Sequence, residues 1–386
     1  MKNLVKGMTA LTVLMTGTAH ADMKIGAVLS MTGPAASLGI PAANTLKLLP
    51  TKIGDQNVQF IVLDDGSQPA NAVRDLRKLI DEDKVDVIIG PSITPTSLAG
   101  LEVIGPAKTP TISLSGSTSI AAPVQGNKEW MFELVPSEAT QAAYIFKNMK
   151  DDKLKTVAFV GFNDAFGDAY IGAVKKVAIA DGFTVTGDER YGRADSSVTA
   201  QALKLMSGKP DAVIVGASGT PGLTPVLELR KLGYKGQIYL NQGMANADVL
   251  KLGGKTIEGM FMPVSPDLVA EQLPDSNPAK AAGIAYDKAY EGKYGAGSRS
   301  LFGATAWDAY QIIANAVPKA EAKAKPGTVE FRTALRDAMQ QTTDLAGAEG
   351  VFSMSPTNHN GTDLRAELLV EVKGGNWVYK PLDASK

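Results

Sequence analysis

Cysteine and histidine, two of the side chains that most often carry out catalysis, are absent or scarce in this chain. Its 386 residues include no cysteine and two histidines, of which only His359 lies beyond residue 21. This set is poor material for a zinc site or for a Ser–His or Cys–His nucleophile pair. A carboxylate-only enzyme, the alternative, would need two acids converging on one cleft, and the candidates Asp164 and Asp168 share a single loop. We therefore expect a binding protein rather than an enzyme, with no metal site and no cofactor.

Uncharged polar residues concentrate in loops that follow predicted strands. These loops are rich in Ser, Thr, Gly, Asn and Gln, and they span 31–39, 90–97, 113–119, 161–167, 216–220 and 241–246. Turn formation alone explains many loops of this composition. However, ligands of parallel α/β sheets bind at the carboxyl ends of the strands, where such loops meet. The loops therefore predict a site built from hydroxyls and backbone amides rather than from ionised side chains.

Apolar, strand-like runs alternate with segments of helical period almost from residue 23. The predicted strands are 23–29, 58–63, 85–89, 111–114, 156–160, 183–185, 212–215 and 237–240. Alternation of this kind predicts an α/β fold with parallel sheets covered on both faces by helices. Because the pattern restarts near residue 155, we expect two similar Rossmann-like lobes.

The first 21 residues have the three parts of a signal peptide. Lys2 and Lys6 precede a short apolar run, and Ala19-His20-Ala21 places small residues at the cleavage positions. We expect cleavage after Ala21 and export to the periplasm. The formal net charge is -1, with no basic block, so the sequence does not indicate a nucleic-acid partner.

Several short segments, taken in order along the chain, resemble one known family. They are Leu29 to Pro34, Asp64-Asp65, the VDVIIGP segment from Val85 to Pro91, Ile112-Ser113, the ELVPSEATQ segment from Glu133 to Gln141, Phe166 to Asp168, and Gly374 to Trp377. Together they resemble the periplasmic solute-binding proteins of ABC transporters, of the branched-chain amino-acid receptor type. The resemblance implies the type I periplasmic binding protein fold, in which three crossovers form a hinge and the lobes close around a solute.

The same resemblance implies an organisation and partners for this chain. Lobe 1 would comprise 23–135 plus 266–347, and lobe 2 would comprise 136–265 plus 348–386. The protein would be a monomer that does no chemistry and delivers its solute to an inner-membrane ABC permease. A binding protein that presents its solute to a sensor would use the same closed form, and the sequence leaves that alternative open.

The resemblance also implies which residues bind the ligand. In family members that hold amino acids, hydroxyls and backbone amides grip the carboxylate, and an acidic residue flanked by aromatic residues holds the ammonium group. The matching positions for the carboxylate are Thr94, Ser115, Gly116 and Ser117. The acidic position holds Gln242, and the flanking positions hold Leu38, Phe166 and Ser218. Thr94 has an alternative role as a helix cap, and Leu38 and Phe166 have one as core residues.

The presence of Gln242 at the acidic position indicates which ligands the protein can bind. Burying an ammonium group without a carboxylate partner costs several kcal/mol. We therefore expect a small carboxylate with an apolar or aromatic body, of the benzoate, hydroxybenzoate or phenylpropenoate type, as in an aromatic-acid-binding branch of the family. A branched-chain or other neutral amino acid, or an amide, is the alternative ligand.

Overall fold

The computed structural model describes residues 22–382, and the predicted signal peptide lies outside the described residues. Two large sheets and one two-stranded sheet form within this range. The strands are β1 (Met23–Leu29), β2 (Lys52–Ile53), β3 (Gln56–Asp64), β4 (Val87–Ile89), β5 (Thr111–Ser113), β6 (Met131–Glu133), β7 (Thr156–Phe162), β8 (Thr184–Tyr191), β9 (Ala212–Gly216), β10 (Gln237–Leu240), β11 (Phe261–Val264), β12 (Leu345–Ala346), β13 (Val351–Phe352), β14 (Leu368–Lys373) and β15 (Asn376–Tyr379).

Helices fill most of the connections between these strands. They are α1 (Ala36–Leu46), α2 (Pro69–Arg77), α3 (Thr94–Ile104), α4 (Thr118–Ala121), α5 (Glu138–Asp151), α6 (Ala165–Ala180), α7 (Thr199–Ser207), α8 (Leu223–Lys231), α9 (Ala247–Gly253), α10 (Lys280–Tyr294), α11 (Leu301–Glu321) and α12 (Val329–Met339). The α/β fold predicted from the alternation of strand and helix is confirmed.

The sheet of the first lobe has the strand order β2-β3-β1-β4-β5-β6 and is parallel apart from the β2–β3 pair. Side chains of β1 alternate between two cores, as the period of a strand requires. Ile25 and Leu29 pack in the core that contains α1, α11 and α12, whereas Val28 packs with residues of α2 and α3. Both faces are thus covered by helices, which explains why the strands are apolar throughout.

The sheet of the second lobe has the order β15-β14-β11-β10-β9-β7-β8. Its strands β7 to β11 are parallel, and β14 and β15 add an antiparallel edge. The same alternation holds along β7. Val160 and Phe162 pack with residues of α7 and α8, and Val157 and Phe159 pack with residues of α5 and α6.

The chain crosses between the lobes beside the cleft. One crossing lies between β6 and α5, and another follows β11, although Leu268 and Val269 beyond it still pack in a core of the second lobe. Phe352 and Met354 pack in the core of the first lobe, beyond the predicted boundary at 348. We therefore propose that the last crossing lies at 360–366, because Met354 and the His359 ring, which stacks on Phe132, keep the chain on the first lobe until then.

The two lobes touch each other along the rim of the cleft. The backbone N–H of Thr220 donates to Ser37 Oγ at 3.3 Å, and the N–H of Leu301 donates to the Ala245 carbonyl at 3.2 Å. The structure is thus a closed form in which the carboxyl ends of both sheets face one cavity. Within residues 22–382, no helix is long and apolar enough to span a bilayer.

Candidate ligand-binding site

A cavity of about 380 Å³, counted to its open mouth, lies between the two lobes. Its walls come from the strand-end loops and from the first turn of α11. The structure brings seven of the eight predicted site residues together in these walls: Leu38, Thr94, Ser115, Gly116, Phe166, Ser218 and Gln242. Beyond the eight predicted residues, the walls also include Ser92, Ile93, Leu114, Val135, Gln141, Arg193, Asn241, Gly243, Leu301 and Phe302.

The first-lobe wall presents hydroxyls and the start of a helix. Helix α3 begins at Thr94, so backbone N–H groups without intrahelical partners and the positive end of the helix dipole lie here. Thr94 Oγ1 and Ser115 Oγ are 2.8 Å apart, and both residues are buried. The N–H of Ser115 donates to Ser113 Oγ at 3.1 Å, which fixes the loop. This wall can therefore bind an anion through several donors at once.

Glycines allow the chain to approach closely at this wall. Gly90 ends β4 with φ +108°, and a Cβ there would lie 2.2 Å from the Val28 carbonyl oxygen. A Cβ on Gly116 would lie 2.6 Å from Val135 Cγ1. Side chains at these two positions would push the strand end or the binding loop out of place.

Ser117 does not line the cavity, unlike the other predicted residues. Its hydroxyl donates to Glu138 Oε1 at 2.8 Å, and the Thr118 hydroxyl donates to Glu138 Oε2 at 2.6 Å. The strand-end loop turns so that Ser117 faces the start of α5 rather than the cleft. Its side chain therefore holds the first crossing in place rather than lining the cavity.

Apolar side chains form the middle of the cavity. Leu38 lies in the first turn of α1, which begins at Ala36. Phe166 lies in the first turn of α6, and its ring stacks on Tyr170 with centroids 6.0 Å apart. Phe302, which is 4% exposed, completes this part of the wall. Burial raises the pKa of Tyr170, so its phenol stays neutral beneath the site.

Arg193 is a charged cavity-lining residue that the sequence did not predict. It follows β8 and lies in the second-lobe wall with a side chain that is 13% exposed. Its Nε donates to Asp164 Oδ2 at 2.6 Å, and its Nη1 donates to Ser218 Oγ at 3.1 Å. The guanidinium carbon lies 4.0 Å from the centroid of the Phe162 ring. The guanidinium group is thus held by an ion pair, a hydrogen bond and an aromatic face.

Asp164 is fully engaged by these contacts. While Oδ2 accepts from Arg193, Oδ1 accepts from the backbone N–H groups of Phe166 and Gly167 at 3.0 and 3.2 Å. These bonds cap the N-terminus of α6. The carboxylate thus caps α6 and pairs with Arg193, and Asp164 does not line the cavity.

Gln242 and Asn241 follow β10 in the same wall. Gln242 Nε2 donates to Ser265 Oγ at 2.7 Å, whereas Gln242 Oε1 is buried without a hydrogen-bond partner in the described part of the chain. Asn241 donates to Gln141 Oε1 at 2.9 Å and accepts from the N–H of Gly243 at 2.7 Å. The amide of Asn241 therefore serves the fold, while that of Gln242 keeps a free acceptor at the cavity.

Acidic side chains and metal-binding groups are lacking among the described residues of this region. No Asp or Glu occurs among the described residues that line the cavity. Nor do residues 22–382 contain a group of three or more His, Asp or Glu side chains placed to hold a metal ion. The arrangement suits binding of a small molecule by donors at one end and apolar contacts along its body.

Two α/β lobes with a ligand-sized cavity between their strand ends define a solute-binding receptor. The chain belongs to the periplasmic binding protein family, whose sequence profile it matches over residues 22–376. The family predicted from the sequence segments, the branched-chain amino-acid receptor type, is thereby confirmed. Family membership implies a periplasmic location, and members of the family are substrate-binding proteins of ABC transporters rather than enzymes.

Known relatives agree with this assignment. A Leu/Ile/Val-binding protein of Rhizobium johnstonii is 24% identical, over 88% of this chain and 89% of that protein. An extracellular ligand-binding receptor from Rhodopseudomonas palustris HaA2 is 39% identical with a TM-score of 0.90, over 93% of this chain and 100% of that one. A solute-binding protein of an R. palustris ABC transporter, solved in complex with benzoate, is 23% identical with a TM-score of 0.80, over 94% and 96%.

Proposed function

We propose that this receptor captures a small carboxylate with an aromatic body, of the benzoate, hydroxybenzoate or phenylpropenoate type, and delivers it to an inner-membrane ABC permease. The observation that carries this proposal is the composition of the second-lobe wall. Where an amino-acid receptor needs an acid for the ammonium group, this wall has Gln242 and the cationic Arg193.

The carboxylate is assigned to the first-lobe wall. Thr94, Ser115 and Gly116 surround the N-terminus of α3 there, and both hydroxyls can turn toward an anion. Hydrogen bonds to a charged group contribute about 1.5–3 kcal/mol each, more than neutral ones. The positive end of the helix dipole favours the same charge, so no buried counter-ion is required.

The body of the ligand is assigned to the apolar middle of the cavity. Leu38, Phe166 and Phe302 offer flat, buried surfaces to a ring. Counted to its open mouth, the cavity of about 380 Å³ has the size of sites that hold small organic ligands. The structural neighbour solved with benzoate has this fold, which supports testing this ligand class first.

A neutral amino acid is the second candidate, because the Rhizobium relative is named as a Leu/Ile/Val-binding protein. Its ammonium group would face Arg193, and both oxygens of the nearby Asp164 are already hydrogen-bonded. Arg193 would repel the ammonium group, although its ion pair with Asp164 offsets part of that repulsion. The geometry therefore favours ligands without an amine.

A ligand panel on the intact protein tests this proposal. Protein recovered from the periplasm after expression of the full chain is melted with benzoate, 4-hydroxybenzoate, cinnamate, leucine and valine, with benzamide as the uncharged counterpart of benzoate. A ligand at 100 times its Kd adds about 2.7 kcal/mol of stability, a clear thermal shift. We expect shifts with the aromatic acids and none with benzamide; shifts confined to leucine and valine would overturn the proposal.

Export and assembly are tested on the same preparation. We propose that residues 1–21 are removed after Ala21 and that the mature protein is a monomer. Intact-mass analysis is expected to give a chain that starts at Asp22, and light scattering is expected to give one chain per particle. A retained leader or a stable dimer would contradict the respective point.

A further inference from the structure

In the second-lobe wall, the Arg193 guanidinium group has a free donor and the Gln242 side chain has a free acceptor. Arg193 uses Nε on Asp164 and Nη1 on Ser218, and its Nη2 has no protein partner among residues 22–382. Gln242 uses Nε2 on Ser265, and its Oε1 is buried without a partner. The wall therefore offers one donor group and one acceptor to a ligand.

The fold brings these two groups to one place. Ser218 follows β9 and Gln242 follows β10, which are neighbouring parallel strands. A Cβ on Gly243 would lie 2.6 Å from Ser218 Cβ, so glycine is what lets the two strand ends meet. Arg193, hydrogen-bonded to Ser218, lies next to this junction.

Several buried polar atoms of residues 22–382 lack a hydrogen-bond partner, and among them Gln242 Oε1 is the one whose residue lines the cavity. The protein does not supply the donor for Gln242 Oε1, although this residue lines the cavity. Since a buried polar group without a partner is destabilising, a ligand that brings a donor gains affinity over one that does not. The unsatisfied oxygen thus constrains the chemistry of the ligand.

We propose that Arg193 and Gln242 together bind one hydroxyl group at the end of the ligand remote from Thr94. The hydroxyl oxygen accepts a hydrogen bond from Arg193, and its hydrogen is donated to Gln242 Oε1. The ligand is then a hydroxylated aromatic acid rather than an unsubstituted one. This inference rests on the proposed function, because it presumes that the carboxylate lies at the first-lobe wall.

Other end groups satisfy this pair less well. A carboxylate only accepts, so it would satisfy Arg193 but would face Gln242 Oε1 with a second acceptor. An ammonium group only donates, so it would suit the glutamine oxygen but would be repelled by Arg193. A methyl group or hydrogen leaves both without a partner. A hydroxyl both donates and accepts from one atom, which matches the pair.

Calorimetric titration of paired ligands tests this inference on the intact protein. The pairs are benzoate with 3- or 4-hydroxybenzoate and cinnamate with 4-hydroxycinnamate, which vary the distance between the two ends. For the native protein we expect the better hydroxylated member to bind at least tenfold tighter. In Arg193→Gln and in Gln242→Met the ratio is expected to fall below threefold, while the affinity for the unsubstituted acid changes little.

The chain offers a matched control for the arginine variant. Arg190 pairs with Asp168 of α6 much as Arg193 pairs with Asp164, and it lies over the Phe159 ring, but it does not line the cavity. Arg190→Gln is therefore expected to keep the full hydroxyl preference. If Arg193→Gln loses its native circular dichroism because α6 is disturbed, Gln242→Met carries the test alone.

The possible outcomes separate this inference from the proposed function. If no aromatic acid binds the native protein, the proposed function fails and this inference with it. If the unsubstituted and hydroxylated acids bind equally, or the preference survives in both variants, the proposed function stands and the hydroxyl assignment is wrong. Tighter binding of terephthalate than of 4-hydroxybenzoate would show that the pair binds a second carboxylate, which also overturns it.

Discussion

Replacing Thr94 with valine removes one hydroxyl from the carboxylate site with little change in shape. Thr94 is fully buried at the start of α3, and its Oγ1 lies 2.8 Å from Ser115 Oγ. Valine has nearly the same volume as threonine but no donor. The variant would thus leave the Ser115 hydroxyl and the backbone amides in place while removing one charge-assisted hydrogen bond to the ligand.

The expected loss follows from the energy of such a bond. A hydrogen bond to a charged group contributes about 1.5–3 kcal/mol, and each 1.4 kcal/mol changes Kd tenfold. We therefore expect Thr94→Val to weaken an aromatic carboxylate by ten- to hundredfold in calorimetric titration. Thr94→Ser, which keeps the hydroxyl, is expected to remain within about threefold of the native affinity.

Thr96 provides the control on the same helix. It is also fully buried, but its hydroxyl donates to the Ile93 carbonyl at 2.8 Å and it does not line the cavity. Thr96→Val should lower the melting temperature without changing Kd by more than about twofold. Unchanged affinity in Thr94→Val, or an equal loss in both valine variants, would refute the assignment of the carboxylate to this wall.

Two further predictions concern stability. Burial raises the pKa of Asp308 to about 7 and that of Asp267 well above its usual value, so the folded protein keeps protons that the unfolded chain loses near pH 3.9. The free energy of unfolding should therefore fall as the pH rises from 4 to 7. In urea titrations, Asp267→Asn should reduce the slope of this free energy against pH by up to about 1.4 kcal/mol per pH unit. An unaltered slope would contradict this. Gly90→Ala places a methyl group 2.2 Å from the Val28 oxygen at φ +108°, and it should cost about 2–5 kcal/mol by the same assay. Gly182→Ala, at φ +76° with no atom within 4 Å, should cost about 1–2 kcal/mol, and equal losses would refute the clash.

The sequence was sufficient to predict the α/β fold and most of the cavity, since both follow from local pattern. Apolar runs such as Val85–Ile89 identify parallel strands, and parallel strands place their following loops at one edge. Thr94, Ser115, Ser218 and Gln242 all lie in loops that this rule selected, and the structure places all four in the cavity wall. Their roles in binding remain predictions.

Arg193 was missed because β8 does not look like a strand in the sequence. The strand is Thr184–Tyr191 and contains Gly187, Asp188 and Glu189, since it lies at the edge of its sheet and most of it is half-buried. Its predicted extent stopped at residue 185, so the loop that contains Arg193 was not among the predicted site loops. An edge strand need not be apolar, and its end is correspondingly hard to locate.

Contacts between distant segments explain the remaining differences. The antiparallel strands β14 and β15 were not predicted, because their place beside β11 is decided by tertiary pairing. Leu301 and Phe302 enter the cavity from the start of a long helix, where no strand-end rule applies.

The two walls of the cavity have different consequences for closure. A ligand shifts a conformational equilibrium only by its difference in affinity for the two states. An acid bound by Thr94 and Ser115 alone would contact the open first lobe about as well as the closed protein. The lobes also contact each other directly, through the rim hydrogen bonds from Thr220 to Ser37 and from Leu301 to Ala245 and through the packing of Leu38 and Ile93 against apolar side chains of the second lobe. The contacts of a ligand with the second-lobe wall add to these contacts and so favour the closed form. A hydroxyl at that wall would accordingly determine which acids close the receptor as well as how tightly they bind.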